Sequence, residues 1–295
     1  MLRFAPSPTG RLHLGHALSA LLNRDMARRL GGRMLIRIED TDLARCRPKF
    51  VQAILDDLAW LGIRSDGPIL RQSEHLGVYR NAASRLDELG LLYPCFATRQ
   101  EIQAAAVPGR VDPDGAPLYP ALHRHLDPHE VEDRKAAGQP FALRLDMARA
   151  IEVGLQLAGE AAFAYTELDE GLAPRRVHTN PARWGDVVIQ RKETSASYHL
   201  AVVVDDARQG MTHVVRGADL QAATDIHRLL QVLLGLPEPY YHHHRLIVEA
   251  GGRKLSKRAG DTSLAALRAR GATLSEIHRL VGLDVDKGLS SFTCL

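Results

Sequence analysis

Cysteine is sparse in this chain. The 295 residues hold three, Cys46, Cys95 and Cys294, too few for a disulfide framework, and the odd count points to a reducing compartment. An excess of charge is also lacking. Lys+Arg 38 against Asp+Glu 35 leaves +3, which excludes gripping nucleic acid by charge alone but permits a local basic face. No run approaches the ~18 to 20 apolar residues that span a bilayer, so no membrane partner is expected. Met1 leads directly into Leu2-Arg3-Phe4-Ala5-Pro6 without a charged n-region, apolar h-region or cleavage site, and a cytoplasmic location is expected. The absence of a fixed-period repeat and of long low-complexity tracts sets aside solenoids and linker arrays. What remains is 45% hydrophobic and 25% charged, the composition of a folded chain of one large or two ordinary domains.

The first ninety residues alternate short apolar runs with amphipathic ones. Leu2 to Ala5 reads as a buried strand, and His13 to Leu30 as a helix ended by Gly31-Gly32. Met34 to Ile38 reads as a second strand. Pro48 opens a helix with Phe50, Ile54, Leu58 and Leu61 on one stripe, stopped by Gly62, and Glu74 to Leu89 predicts another, capped by Gly90. This alternation implies an α/β fold with a parallel sheet. From Tyr93 to about Arg183, turn signals at Pro108-Gly109, Pro113-Asp114-Gly115 and Asp127-Pro128, and an alternating Phe141 to Leu145, predict an α+β insertion. Parallel-sheet grammar resumes with expected strands at Leu200 to Val204, Met211 to Val215 and Leu246 to Val248. Helices are expected at Asp219 to Leu234 and Leu264 to Leu283. Tyr240-Tyr241-His242-His243-His244 reads as a loop before the Leu246 strand. Three adjacent histidines on a strand would alternate faces and not converge on one metal.

Open parallel sheets bind ligands beyond the carboxyl ends of their strands. There the sequence places Pro6-Ser7-Pro8-Thr9-Gly10-Arg11-Leu12-His13-Leu14-Gly15-His16. The glycines permit close backbone approach, and a helix N-terminus favours phosphate. His13 and His16, three residues apart, share a helical face. Near the other end, Gly251-Gly252-Arg253-Lys254-Leu255-Ser256-Lys257-Arg258 lacks Walker A spacing, yet puts four cations behind two glycines. Each signal alone is compatible with ordinary surface. Together, at opposite ends of one α/β unit, they point to a polyphosphate site.

These residues resemble a known family, the class I aminoacyl-tRNA synthetases of the glutamyl type. Arg3-Phe4-Ala5-Pro6-Ser7-Pro8-Thr9-Gly10 running into His13-Leu14-Gly15-His16 is similar to the HIGH signature, and Lys254 to Arg258 is similar to the KMSKS loop. Arg37 to Asp42, Tyr198 to Asp206 and Val215 to Leu220 resemble further blocks of that family in the same order. The resemblance implies a Rossmann-type parallel-sheet domain with an α+β insertion and a short C-terminal helical segment. Expected boundaries are 1–92 and 184–245 for the two halves of the catalytic domain, 93–183 for the insertion, and 246–295 for the KMSKS-like loop and helical segment.

The resemblance also implies roles. Arg3, Phe4, Ala5, Pro6, Ser7, Glu39, Tyr198 and Arg216 would hold L-glutamate, with Glu39 on its ammonium and Arg216 on a carboxylate through a bidentate fork. His13, Gly15, His16 and Lys257 would bind ATP. His13, His16, Lys254 and Lys257, with Mg²⁺, would offset the charge that develops as the glutamate carboxylate attacks the α-phosphorus. Only 37 residues follow Arg258, so the pattern is similar to the truncated glutamyl-Q branch. Its members activate glutamate without tRNA and transfer it to queuosine in the anticodon loop of tRNA(Asp). A monomer facing that stem-loop is expected. The alternatives are a short synthetase charging a tRNA 3′ end and a non-catalytic tRNA-binding module. The family further implies zinc in the insertion, held by Cys-x-Cys and a later Tyr-x-x-x-Cys. Here Ala97 replaces one cysteine and His123 another, leaving Cys95, Tyr119 and His123, with His125 nearby, short of the four ligands of a closed site. A packed, metal-free subdomain is the alternative.

Overall fold

A computed structural model describes residues 1–192, 196–247 and 262–283. The strands are β1 (Leu2–Phe4), β2 (Met34–Ile38), β3 (Leu70–Arg71), β4 (Leu92–Cys95), β5 (Ala142–Leu145), β6 (Ala164–Leu168), β7 (Pro174–His178), β8 (Val188–Gln190), β9 (His213–Gly217) and β10 (Tyr240–His244). The helices are α1 (Leu14–Arg29), α2 (Pro48–Trp60), α3 (Leu76–Glu88), α4 (Arg99–Ala105), α5 (Pro128–Ala136), α6 (Met147–Ala158), α7 (Tyr198–Arg208), α8 (Thr224–Leu233), α9 (Leu264–Ala269) and α10 (Leu274–Leu280). No helix among the described residues is long and apolar enough to cross a membrane.

Strands β1, β2 and β3 form one parallel sheet, while β9, β10 and β6 form another, with β7 antiparallel on β6. The two meet where the Met1 carbonyl accepts from the Thr212 and His213 amides, at 3.0 and 3.3 Å. Strand order reverses between β1 and β9, where an open sheet leaves a crevice. A third, antiparallel sheet of β4, β5 and β8 stands apart. Sheet pairing therefore divides the 93–183 stretch: β5 belongs to the third sheet, whereas β6 and β7 join β10.

Periodicity explains the first core. Leu18, Leu21, Leu22 and Met26 of α1 pack with Leu2, Phe4, Ile36 and Ile38 of the strands and Ile54 and Leu58 of α2. Leu12 and Leu264 are fully buried in the same cluster, joined by an amide-to-carbonyl bond of 2.9 Å that ties α9 beside the start of α1. Gly31, with φ 57°, lets the chain leave α1 in a left-handed turn.

Three expectations are corrected. Leu200 to Val204 lies in α7, not a strand. The run is buried on every side among α3, α6 and α8 residues, so it carries no period to separate helix from strand. The Ser197 hydroxyl caps the helix by accepting from the Leu200 amide. Asp205, fully buried in α7, accepts from Tyr79 Oη at 2.7 Å and Gln72 Nε2 at 2.9 Å. The polar tail of the apolar run is thus a helix anchor. Second, Tyr240 to His244 is strand β10, whereas Leu246 and Ile247 lie outside any strand. Its histidines misled by composition, yet each finds a partner: His242 with the Leu168 carbonyl and His243 with Glu167 on β6, and His244 with the carbonyl of Arg245 just after the strand. Third, the expected helix from Leu264 to Leu283 breaks into α9 and α10 at Gly271, whose φ is 83°.

Candidate active site

The crevice between β1 and β9 opens into a cavity of about 570 Å³. Its walls are the end of β1 and the loop after it, the start of α1, Glu39 after β2, Tyr198 of α7, and the end of β9 with Arg245 to Ile247. The Glu39 amide donates to the Pro6 carbonyl at 3.2 Å, and the Arg47 amide to the Pro8 carbonyl at 3.2 Å, so the proline-rich loop is pinned to its neighbours.

At the start of α1 the two histidines cap the helix reciprocally. The Gly15 amide donates to His13 Nδ1 at 3.1 Å, and the His13 amide to His16 Nδ1 at 3.2 Å. The ring centroids lie 3.9 Å apart. Because each Nδ1 accepts, a neutral ring carries its proton on Nε2, as a donor. A Cβ on Gly15 would sit 3.1 Å from His13 Cε1 and 3.2 Å from its Nδ1. Glycine is what permits this ring geometry.

Behind the cavity, Asp206 of α7 binds two arginines. Arg3 donates from Nε at 2.9 Å and from Nη2 at 3.3 Å, and Arg37 from Nη1 at 2.7 Å. Arg37, fully buried, also reaches Glu39 at 3.1 Å and Gln209 at 3.1 Å. Burial opposes the charge on Asp206, yet the two guanidiniums hold its carboxyl below the ordinary range. Burial pushes the Glu39 carboxyl up instead, against the pull of Arg37 and Arg3. A ligand ammonium beside Glu39 would pull that carboxyl back down.

Arg216 of β9 is held differently. Its Nε donates to His243 Nε2 at 3.2 Å, Nη1 pairs with His227 Nδ1 at 3.0 Å, and Nη2 donates to Thr224 Oγ1 at 2.7 Å. The Tyr198 hydroxyl stands at 3.5 Å from Nη1. No carboxylate among the described residues forms an ion pair with it. Nη1 is shared between His227 and the Tyr198 hydroxyl, and Nη2 keeps an N–H beyond its bond to Thr224, so the guanidinium is held by neutral groups and a planar acid would bind in place of the long Tyr198 contact.

The structure therefore gathers Arg3, Phe4, Ala5, Pro6, Ser7, His13, Gly15, His16, Glu39, Tyr198 and Arg216 around one cavity. Lys254 and Lys257 lie outside the described residues. Sequence reasoning missed Arg37, Asp206, Thr224, His227, His243 and Glu167. Arg37 and Asp206 stood inside quoted blocks, but which carboxylate meets which cation is set by three-dimensional pairing.

A family model described as tRNA synthetases class I (E and Q), catalytic domain, matches residues 1–285. The chain belongs to this family. It is accordingly a ligase-type enzyme. It is 48% identical over 287 residues to the Glutamyl-Q tRNA(Asp) synthetase of Rhodobacter capsulatus, covering 95% of this chain and 99% of that protein. It is 36% identical over 301 residues to the glutamate–tRNA ligase of Prochlorococcus marinus strain MIT 9303, covering 97% of this chain and 59% of that one. A solved glutamate tRNA ligase of Elizabethkingia meningosepticum, in complex with its amino acid, superposes with TM-score 0.66 at 28% identity. It covers 88% of this chain, which spans about half of that structure, 52%.

The zinc reading does not fit the residues present. His123 Nδ1 accepts from the Phe96 and Ala97 amides, both at 3.1 Å, so one of its two ring nitrogens is engaged. The Tyr119 hydroxyl contacts Cys95 Sγ at 3.2 Å and accepts from the His123 amide at 3.0 Å. Burial and the Cys95 thiol push the phenol pKa up, away from the phenolate a metal needs. No group of three or more His, Cys, Asp or Glu among the described residues is arranged for a metal. Mg²⁺ carried on nucleotide phosphates asks for few protein ligands.

Two outcomes follow. Gly15→Ala, by pushing the His13 ring, is expected to raise the KM for ATP about tenfold or more with the fold intact; an unchanged KM would contradict the ring geometry. Elemental analysis of the purified protein is expected to find zinc well below one per chain. Stoichiometric zinc lost together with stability on chelation would reverse that conclusion.

Proposed function

We propose that the chain activates L-glutamate with ATP in the absence of tRNA and transfers the glutamyl group to queuosine in the anticodon loop of tRNA(Asp). The carrying observation is Arg216, a buried arginine with no carboxylate partner among the described residues, in one cavity with Glu39 and the paired His13 and His16. A ligand with an ammonium, a side-chain carboxylate and a second carboxylate near phosphate matches that layout. The higher identity to a relative named Glutamyl-Q tRNA(Asp) synthetase than to glutamate–tRNA ligases supports the branch.

In the first step a glutamate α-carboxylate oxygen attacks the α-phosphorus of ATP. The bond from that phosphorus to the bridging oxygen breaks, and pyrophosphate leaves with the electron pair. Such transfers need alignment and charge stabilisation more than covalent help. Arg216 holds the side-chain carboxylate with Tyr198 beside it, and Glu39 takes the ammonium. Asp206 fixes Arg3 and Arg37, keeping the pocket's back wall in place. The Nε2–H groups of His13 and His16 meet phosphate oxygens at the positive end of α1. Mg²⁺ supplies further charge neutralisation on the phosphates. In the second step an acceptor hydroxyl attacks the carbonyl carbon, the bond to AMP breaks, and the hydroxyl proton passes to the departing phosphate or solvent.

Glutamate-dependent ATP–pyrophosphate exchange is expected with no tRNA present. Labelled glutamate transferred to queuosine-bearing tRNA(Asp) is expected to survive removal of the terminal adenosine. Exchange that requires tRNA, or label that leaves with the terminal adenosine, would instead identify charging of a 3′ end.

A further inference from the structure

Two of the three arginines that line the cavity, Arg3 and Arg216, face opposite electrostatic conditions. Arg3 gives two hydrogen bonds to Asp206, so its charge is largely met within the protein. Arg216 is 4% exposed, yet its short acceptors are two imidazoles and a hydroxyl. A buried cation without an anion is costly. We infer that His243, His227 and Thr224, with Glu167 behind His243, form a neutral cradle that aims Arg216 without cancelling its charge, and so sets the preference for a carboxylate over an amide side chain. This rests on the reading of glutamate as the substrate.

The hydrogen-bond directions support neutrality. Glu167 is the partner of His243 Nδ1 at 2.8 Å, which places the proton there and leaves Nε2 to accept from Arg216. A protonated His243 would present a donor to a donor. Burial, with Arg216 close by, pushes His243 down to about 4 despite Glu167. His227 accepts through Nδ1, so its Nε2 donates to His199 Nδ1 at 3.2 Å, and that chain is also consistent only with neutral rings. Glu167 keeps its anion away from Arg216: the carboxylate takes Arg175 at 2.7 Å on its other side. An imidazole between a carboxylate and a guanidinium transmits orientation while keeping the charges apart. His243 is thus a positioning residue for specificity.

The test compares charge with shape. His243→Asp and Thr224→Asp each place a carboxylate at Arg216, whereas His243→Asn offers a neutral acceptor. Glutamate- and glutamine-dependent ATP–pyrophosphate exchange is measured for each, with melting curves to confirm folding. In at least one folded Asp variant, the KM for glutamate is expected to rise at least about tenfold, the scale of one charge-assisted pair. Its kcat should be little changed, and its glutamate-to-glutamine ratio of kcat/KM should fall by a similar factor. His243→Asn is expected to keep that ratio within about threefold. An unchanged ratio in folded Asp variants, or equal losses in Asn and Asp variants, would overturn the cradle while leaving the glutamate reading intact. Absence of glutamate-dependent exchange in the wild-type protein would overturn the substrate reading itself, and the cradle with it.

Discussion

Asp206 sits where β1, β2 and α7 converge, and it binds the arginines of both strands at once. Removing one partner of such a buried network would typically cost about 3–5 kcal/mol, because the remaining charges stay buried and uncompensated. Through Arg37 the same network fixes Glu39, and through Arg3 it shapes the cavity floor. The first half of the chain, carrying the histidine-capped helix, is thereby tied to the second half, which carries Arg216. Placement of the ligand-facing groups follows from that tie. Arg3, met by a carboxylate, and Arg216, met by neutral groups, then face the same space.

Much of this was legible in the residues. The strand–helix alternation of the first ninety positions set the parallel sheet, since amphipathic helices and short apolar strands carry different periods. The loop from Pro6 to His16 was recognisable because its glycines, prolines and histidines stand at the end of a strand. Arg216 and Glu39 also stood at strand ends. Of these, Pro6, Ser7, Thr9, His13, Gly15, His16, Glu39 and Arg216 line the cavity. What was illegible shares one cause. Where both sides of a segment are buried, its residues lose the pattern that reveals their geometry. Leu200 to Val204 became a helix for that reason, and β10 hid behind its histidines. The partners of Asp206 and Arg216 were equally hidden, because they come from positions up to 203 residues away.

The insertion shows the same physics with a different outcome. Cysteine-rich zinc subdomains use the metal as their central tie. Here an alanine and a histidine stand at positions where the family pattern has cysteines, and the tie is made by backbone amides on His123 and by the Tyr119 hydroxyl. Arg144 lies over the Tyr119 ring, 3.9 Å from its centroid, and covers one face of the cluster. These hydrogen bonds and packing contacts join the Cys95, Tyr119 and His123 cluster. Its cysteine is a buried structural thiol with a phenol beside it.

The central claim is that the charge of Arg216 is kept for a carboxylate of the ligand while that of Arg3 is met by Asp206. A crystal structure with a non-hydrolysable glutamyl-adenylate analogue tests it most directly. The expected result places the glutamyl side-chain carboxylate on the guanidinium of Arg216, with the ammonium at Glu39 and the Arg3–Asp206 pair intact. A side-chain carboxylate lying away from Arg216, or an Arg3 released from Asp206 to bind it, would contradict the account.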